Sequence, residues 1–274
     1  MKKKSLSSRL VGSPSYVWAA IFIVVPVIMV LYYSLTDRNG SFTLSNIADL
    51  RLYADTLVLS VWLGAIATAV CFVISYPIAY ILSRAKASTQ RTLMLLVMLP
   101  MWINLLLRTY SWMTILEDTG IINSLLAKIG IGPVHMINTS GAVVLGMVYN
   151  FMPYMIMPLY SVMTKIGRNT IEAAQDLGAS SLQVLCRVVF PMSVPGIASG
   201  ITMVFVPCVS TFYISQKLGG TGYTLIGDVI DTQFTNNARN MGATLSLILM
   251  VMIIICMLVM NQFTSDDDEG AMLV

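Results

Sequence analysis

Few side chains in this chain could do covalent or metal chemistry. One histidine, His135, cannot by itself build a histidine metal site. Cys71, Cys186, Cys208 and Cys256 have no partner at metal or redox spacing and read as small packed side chains. No acidic pair lies inside an apolar stretch and the one histidine lies outside them, which speaks against the alternative of a membrane-embedded enzyme. No residue is therefore assigned as catalytic or metal-binding. The chemistry that remains is that of a docking face in the polar segment Thr164–Pro191. Glu172 and Asp176 are four apart and share one helical face. The short side chains of Ala173, Ala174 and Ala179 let another surface come close.

This segment carries its own folding signals. Asn169 followed by Glu172 resembles a capping box, opening a helix expected to run to about Leu177. Gly178 ends it, because glycine accepts the left-handed conformation of a helix stop. Ser180 with Gln183 is a second capping signature, for a helix through Leu182, Leu185 and Val189 that Pro191 closes. The sequence thus predicts helix, tight turn, helix within one loop.

The elements that must hold this loop are apolar. Of 274 residues, 57% are hydrophobic and 11% charged, with a mean hydropathy of +0.79. That composition fits a polytopic membrane protein, and a net charge of +3 gives no footprint for nucleic acid. Six stretches reach the roughly 20 residues needed to cross the hydrocarbon core. They are expected at about 15–36, 56–83, 92–114, 138–164, 192–215 and 241–262. All six are predicted as helices, since backbone groups in lipid must bond within their own segment. The run after Lys2-Lys3-Lys4 is long enough to span and lacks a small-residue cleavage pattern, so it is expected to stay as the first span.

Charge sets the orientation. With the N-terminus inside, the inner segments carry ten basic residues: Lys2, Lys3, Lys4, Arg9, Arg84, Lys86, Arg91, Lys165, Arg168 and Arg187. The outer loops carry five: Arg38, Arg51, Lys128, Lys217 and Arg239. Both termini are expected to be cytoplasmic. In the outer loop at 115–137, Ile121, Ile122, Leu125, Leu126 and Ile129 recur at helical spacing and predict a short surface helix. Gly196 and Gly200 form a small-xxx-small pair suited to close helix packing. Pro26, Pro77, Pro100, Pro153, Pro158 and Pro207 fall within spans and are expected to bend them. The whole reads as one transmembrane domain, 1–274, with the loop 165–191 inside it and a disordered acidic tail at 263–274.

The loop pattern is Glu-Ala-Ala, three residues, Gly, nine residues, then aliphatic-x-apolar-Pro. With Glu172, Ala173, Ala174, Gly178, Val188, Phe190 and Pro191 in those places, it resembles the EAA loop of ABC importer permeases. Val188 and Phe190 stand where that family usually has Ile and Leu. The segments Leu99–Tyr110, Leu145–Tyr149, Met157–Ser161, Gly219-Gly220 and Leu225–Phe234 resemble spermidine/putrescine permeases of the PotB type. The resemblance covers about residues 10–262. It implies an all-α, type I ABC importer permease fold with six transmembrane helices in a bacterial plasma membrane. It implies four partners besides membrane lipid and no nucleic acid: a homologous second permease, two copies of an ATP-binding subunit, and an extracytoplasmic polyamine-binding protein. ATP and Mg would sit on the ATPase, because this chain has no GxxxxGK[ST] phosphate loop and no cofactor of its own. Glu172, Ala173, Ala174, Asp176, Gly178 and Pro191 would couple to that ATPase.

For a polyamine path, aromatic faces and carboxylates are the fitting groups. The candidates are Trp102, Tyr110, Trp112, Tyr149, Phe205, Tyr213, Asp228 and Asp231, with Trp62 and Tyr154 as further aromatics. Seven acidic residues in the outer loops against five basic ones are compatible with cation access without predicting it. Arg108 lies within the third span and would repel a polyamine. It is expected to pair with a carboxylate or snorkel outward rather than meet substrate. Related importers carry sugars, sulfate, iron or aminophosphonates, and such solutes stay open beside polyamines.

Overall fold

The computed structural model describes residues 17–37 and 39–270, with side chains placed to residue 260. The expectations for Lys2, Lys3, Lys4 and Arg9 lie outside the described residues. In order, the helices are α1 (Val17–Ser34), α2 (Ala54–Arg84), α3 (Ala87–Met98), α4 (Leu105–Leu116), α5 (Ile121–Lys128) and α6 (Ser140–Met163). They continue as α7 (Arg168–Asp176), α8 (Ser181–Met192), α9 (Val194–Ser210), α10 (Tyr213–Leu218), α11 (Ile226–Thr235) and α12 (Arg239–Gly270). Among the described residues the one β feature is an isolated bridge between Thr36 and Phe42.

By length and composition, four stretches can cross a membrane: Val17–Ser34, Ser45–Arg84, Ser140–Met163 and Arg239–Met260. Two bent pairs, Ala87–Trp102 with Leu105–Lys128 and Ser181–Met192 with Val194–Ser210, raise the number to six if each pair is one span. The third and fifth expected spans are therefore not the straight helices predicted from hydropathy. The third turns by 88°. Pro100 has no N–H to give, the chain tightens into a 3-10 turn over Leu99–Trp102, and Ile103 is extended. Asn104 then starts α4 by accepting a hydrogen bond from Leu106 N at 2.8 Å. The fifth turns by 71° at Ser193 and ends at Ser210, short of the expected residue 215. Helix α12 runs on to Gly270 and takes in most of the acidic segment expected to be disordered. Extending an existing helix adds one bond per residue fixed, and no proline or glycine lies between Gly242 and Gly270.

The prolines have two solutions. Pro77, Pro153, Pro158 and Pro207 sit inside helices. Pro26 and Pro191 instead follow five-residue π-turns, Ala20–Val24 and Leu185–Val189. The wider i→i+5 turn relieves the clash between the ring and the preceding carbonyls.

The described residues divide into two compact units, one within 17–54 and 229–252 and the other within 55–228 and 253–270. In the first, the last carbonyls of α1 find side-chain donors. Asn240 Nδ2 donates to Tyr33 O (3.2 Å) and Thr36 O (2.6 Å). Asn46 Nδ2 and Thr244 Oγ1 both donate to Ser34 O at 3.3 Å. Helix ends in an apolar setting need such partners.

The second unit holds most of the core. Buried positions on α2 (Ser60, Leu63, Ala67, Cys71, Ser75, Ala79, Leu82) recur every three or four residues, while Val58, Trp62, Val73 and Ile81 on the same helix are exposed. A helix apolar all round suits lipid on one side and protein on the other. Along α6, Met147, Met155, Ile156, Leu159 and Met163 are fully buried. A Cβ at Gly196 would lie 3.1 Å from Pro158 O, and one at Gly200 2.6 Å from Met155 Sδ, so α9 packs on α6 as the small-xxx-small pair anticipates.

Gly227 is the tightest approach to backbone. A Cβ there would lie 2.5 Å from Thr211 O and 2.7 Å from Ser210 O, the carbonyls where α9 ends. Gly227→Ala is expected to destabilise this unit by about 1–3 kcal/mol, the usual cost of overpacking. A lower thermal midpoint in detergent, measured by light scattering or intrinsic fluorescence, checks it.

Candidate functional site

The polar loop folds as helix, turn, helix. Helix α7 begins two residues earlier than predicted. Gly167 occupies the cap position without a side-chain bond and Asn169 lies inside the first turn, so no Asn169–Glu172 capping box forms. Glu172 instead faces Arg168, four residues back, at 3.5 Å. The helix stop is as anticipated. Gly178 has φ +85°, Gly178 N donates to Gln175 O (2.8 Å) and Ala179 N to Ala174 O (3.1 Å). The second capping box is complete, with Gln183 N donating to Ser180 Oγ and Ser180 N to Gln183 Oε1. Pro191 does not end α8. It sits in the first turn after the π segment, and the helix continues to Met192.

The two sides of the loop differ. Ile171, Val184 and Val189 are buried against the core, with Ala174 and Ala179 packed on it. Glu172, Ala173, Asp176 and Gly178 are exposed. So are two leucines that capping arguments had no reason to single out, Leu177 at 90% and Leu182 at 71%. An acidic pair beside two exposed leucines is the composition of a docking surface, with apolar area to bury and charge to orient it.

The aromatic candidates fall into separate places. Tyr110 and Tyr213 meet edge to face, with centroids 6.1 Å apart. The Lys217 ammonium stands 5.5 Å and 5.8 Å from their ring centres, so this pair is already a cation–π site. Trp112 and Tyr149 form a second T-shaped pair at 5.4 Å. They line a cavity of about 210 Å³ with Ile103, Leu107, Arg108, Ser111 and Ile115. Of the two expectations for Arg108, pairing with a carboxylate is not seen among the described residues: its Nε and Nη1 are buried with no hydrogen-bond partner there. Trp102 is 77% exposed at the bend before α4. Phe205 belongs to neither pair; it lines an apolar groove with Ile201, Thr202, Val206 and residues of α12.

The two acidic candidates are not alike. Both lie on α11 rather than in an open loop. Asp228 is 3% exposed, and its Oδ2 accepts from Leu225 N at 2.7 Å. Beside it, Ile226 N donates to Ser60 Oγ at 2.8 Å. Its side chain thus serves the start of α11. Asp231 is exposed and belongs to the other compact unit. Asn123 had no sequence signal: it is buried and ties Glu117 O and both the N–H and C=O of Val134 together, closing the loop around α5.

Residues 75–265 match the family described as "Binding-protein-dependent transport system inner membrane component". The chain belongs to this family. It is the permease subunit of a binding-protein-dependent ABC importer, a multi-pass inner-membrane transport component rather than an enzyme. A system of that kind brings an ATPase and a periplasmic binding protein to the permease. The spermidine/putrescine transport system permease protein PotB of Haemophilus influenzae is 37% identical over 227 residues, 79% of each chain. PotB of Escherichia coli K12 is 36% identical over 229 residues, 80% of this permease and 83% of that protein. Among solved structures, a bacterial ABC transporter involved in import of the acidic polysaccharide alginate matches with a TM-score of 0.75. It is 18% identical and the match covers 95% of both chains, a likeness of fold.

Asp228→Ala in this permease is expected to act as the loss of a helix cap, costing about 0.5–2 kcal/mol of stability. The check is a thermal melt of the purified subunit; an unchanged midpoint would remove the structural role given to Asp228.

Proposed function

We propose that the permease carries polyamines, spermidine or putrescine, into the cell by alternating access. The observation that carries the substrate is the identity of 36–37% over about four-fifths of the chain to PotB proteins. The ring pair Tyr110–Tyr213 supports it, because these faces already hold an ammonium, that of Lys217. Tyr110, Tyr213, Trp112 and Tyr149 are the aromatics proposed to line the path. Trp102, Phe205, Asp228 and Asp231 are further from support: the first two lie apart from the ring pairs and Asp228 is engaged by backbone.

The assembly proposed is this chain, a homologous second permease, two ATP-binding subunits and an extracytoplasmic polyamine-binding protein, with both termini in the cytoplasm. The coupling surface is Glu172, Ala173, Ala174, Asp176 and Gly178, extended by Leu177 and Leu182, with Pro191 at its far end. ATP and Mg on the partner close the ATPase pair, which moves α7 and α8 and rocks the helices from inward-open to outward-open. Hydrolysis resets them. The loop's two-sided burial supports this reading: one side is fastened to the core and the other is offered outward.

Two experiments test it. Glu172→Lys reverses the charge of the docking face, and Gly178→Asp places a side chain at φ +85°, a conformation costing about 1–2 kcal/mol for an L-residue. Both variants are expected to insert normally and to lose uptake by tenfold or more, in the order of the roughly 2 kcal/mol that a hot-spot contact carries. Normal uptake by either would remove the coupling assignment. Separately, cells lacking this chain are expected to lose labelled spermidine or putrescine uptake and recover it with the gene restored. Polyamine uptake that is unaffected in a strain without a second importer would overturn the substrate and leave the loop assignment standing.

A further inference from the structure

The same helix, α2, holds both ends of the polar loop. At the loop's start, Arg84 reaches from the last residue of α2 to the end of α6. Its Nη1 donates to Ile166 O and its Nη2 to Met163 O, both at 3.0 Å. Met163 O is among the carbonyls that a helix end leaves without an intrahelical partner, and a cation is favoured there by the helix dipole. The guanidinium also stands 5.6 Å from the centre of the Tyr80 ring, which limits its freedom. At the loop's far end, Tyr76 of α2 shares a hydrogen bond of 3.1 Å with Ser193 Oγ, at the bend between α8 and α9. The Tyr76 ring also packs on Phe190, with centroids 5.7 Å apart. Tyr76 and Arg84 are eight residues apart, about 12 Å along α2 at 1.5 Å per residue. A second brace fixes the end of α2: Gln90 Nε2 donates to Ser83 O and Ala85 O at 3.0 Å, and its Oε1 accepts from Tyr160 of α6 at 3.1 Å.

These contacts cross the two places where the loop could flex. One is Thr164–Gly167, the turn between α6 and α7, where Thr164 Oγ1 donates to Tyr160 O and Ser161 O at 3.0 Å and Gly167 caps α7 without a side-chain bond; the other is Ser193. A flexible joint absorbs displacement, whereas a joint bridged to a rigid neighbour passes it on. We propose that α2 is the receiving arm of the coupling loop, with Arg84 and Tyr76 as positioning residues that deliver the loop's displacement to α2 instead of letting the two joints absorb it. The inference rests on the loop being the ATPase-coupling element. Arginine is required at the first joint because two parallel N–H groups span two carbonyls; lysine offers one point charge.

The test uses the complete transporter, with ATPase, second permease and binding protein, in proteoliposomes. Labelled spermidine taken up per ATP hydrolysed is measured for the wild type, Arg84→Met, Arg84→Lys, Tyr76→Phe and Glu172→Lys. Coupling between sites is typically worth a factor of about 5–150, so Arg84→Met is expected to lower uptake per ATP at least about fivefold while hydrolysis continues. Arg84→Lys and Tyr76→Phe are expected to fall between. A merely structural role would lower uptake and hydrolysis together and leave their ratio unchanged, which would overturn the proposal. A solute-independent arm places spin labels at Ile81→Cys on α2 and Arg187→Cys on α8 in a cysteine-free background. Their separation is expected to stay narrow with and without ATP in the wild type and to broaden with ATP in Arg84→Met. Equal distributions in both proteins would overturn the proposal even if spermidine is not the solute. If Glu172→Lys keeps its ATPase and full uptake per ATP, the loop assignment fails and this inference fails with it.

Discussion

In hydrocarbon, a backbone N–H or C=O without a partner costs several kcal/mol, and this constraint governs where the chain is free to bend. Several interruptions of a helix are accompanied by a side-chain substitute for the lost bond. At the bend after Trp102, Asn104 supplies an acceptor for Leu106 N. At the start of α11, Ser60 and Asp228 take the N–H groups of Ile226 and Leu225. At the end of α1, Asn46, Asn240 and Thr244 supply donors. At these ends Asn, Asp, Ser and Thr take up backbone groups that the helix leaves without a partner.

The same rule explains the division between polar side chains that shape the fold and those that face outward. Buried polar residues such as Ser60, Asn123, Ser193 and Asp228 are engaged with backbone or with one another. On the loop the charged residues are outward, and what is buried is Ile171, Val184 and Val189. The loop is built inside out relative to a solvated connector: its apolar side is fixed, so its acidic side has a defined direction.

Much of this was legible from residue types. Gly178 predicted the helix stop because only a residue without Cβ accepts φ +85° at no cost, and Ser180 with Gln183 predicted a cap that both partners complete. The spacing of Ile121, Ile122, Leu125 and Leu126 predicted α5. Hydropathy failed where a helix breaks without becoming polar. The stretch 92–114 is apolar on average, so a sliding average sees one span, while Pro100 and Asn104 turn the chain by 88°. Asn169 failed for the opposite reason: the capping pattern was present, but Gly167 already allowed the chain to turn, and Glu172 was drawn to Arg168. Which aromatics meet was beyond a linear reading, because Tyr110 and Tyr213 are a hundred residues apart and joined only by packing.

The exposed pair Leu177 and Leu182 makes the stability of this subunit a property of its surroundings. A partner that binds only the folded loop adds RT ln(1 + [L]/Kd), about 2.7 kcal/mol when its concentration is a hundred times Kd. Covering the two leucines contributes to that affinity at about 1.5–3 kcal/mol for each side chain fully buried. A copy made in excess of its partners lacks that increment and leaves apolar surface in water, which is what cellular proteases and chaperones recognise. On the proposed docking, the stoichiometry of the assembly follows from mass action, through the same two side chains.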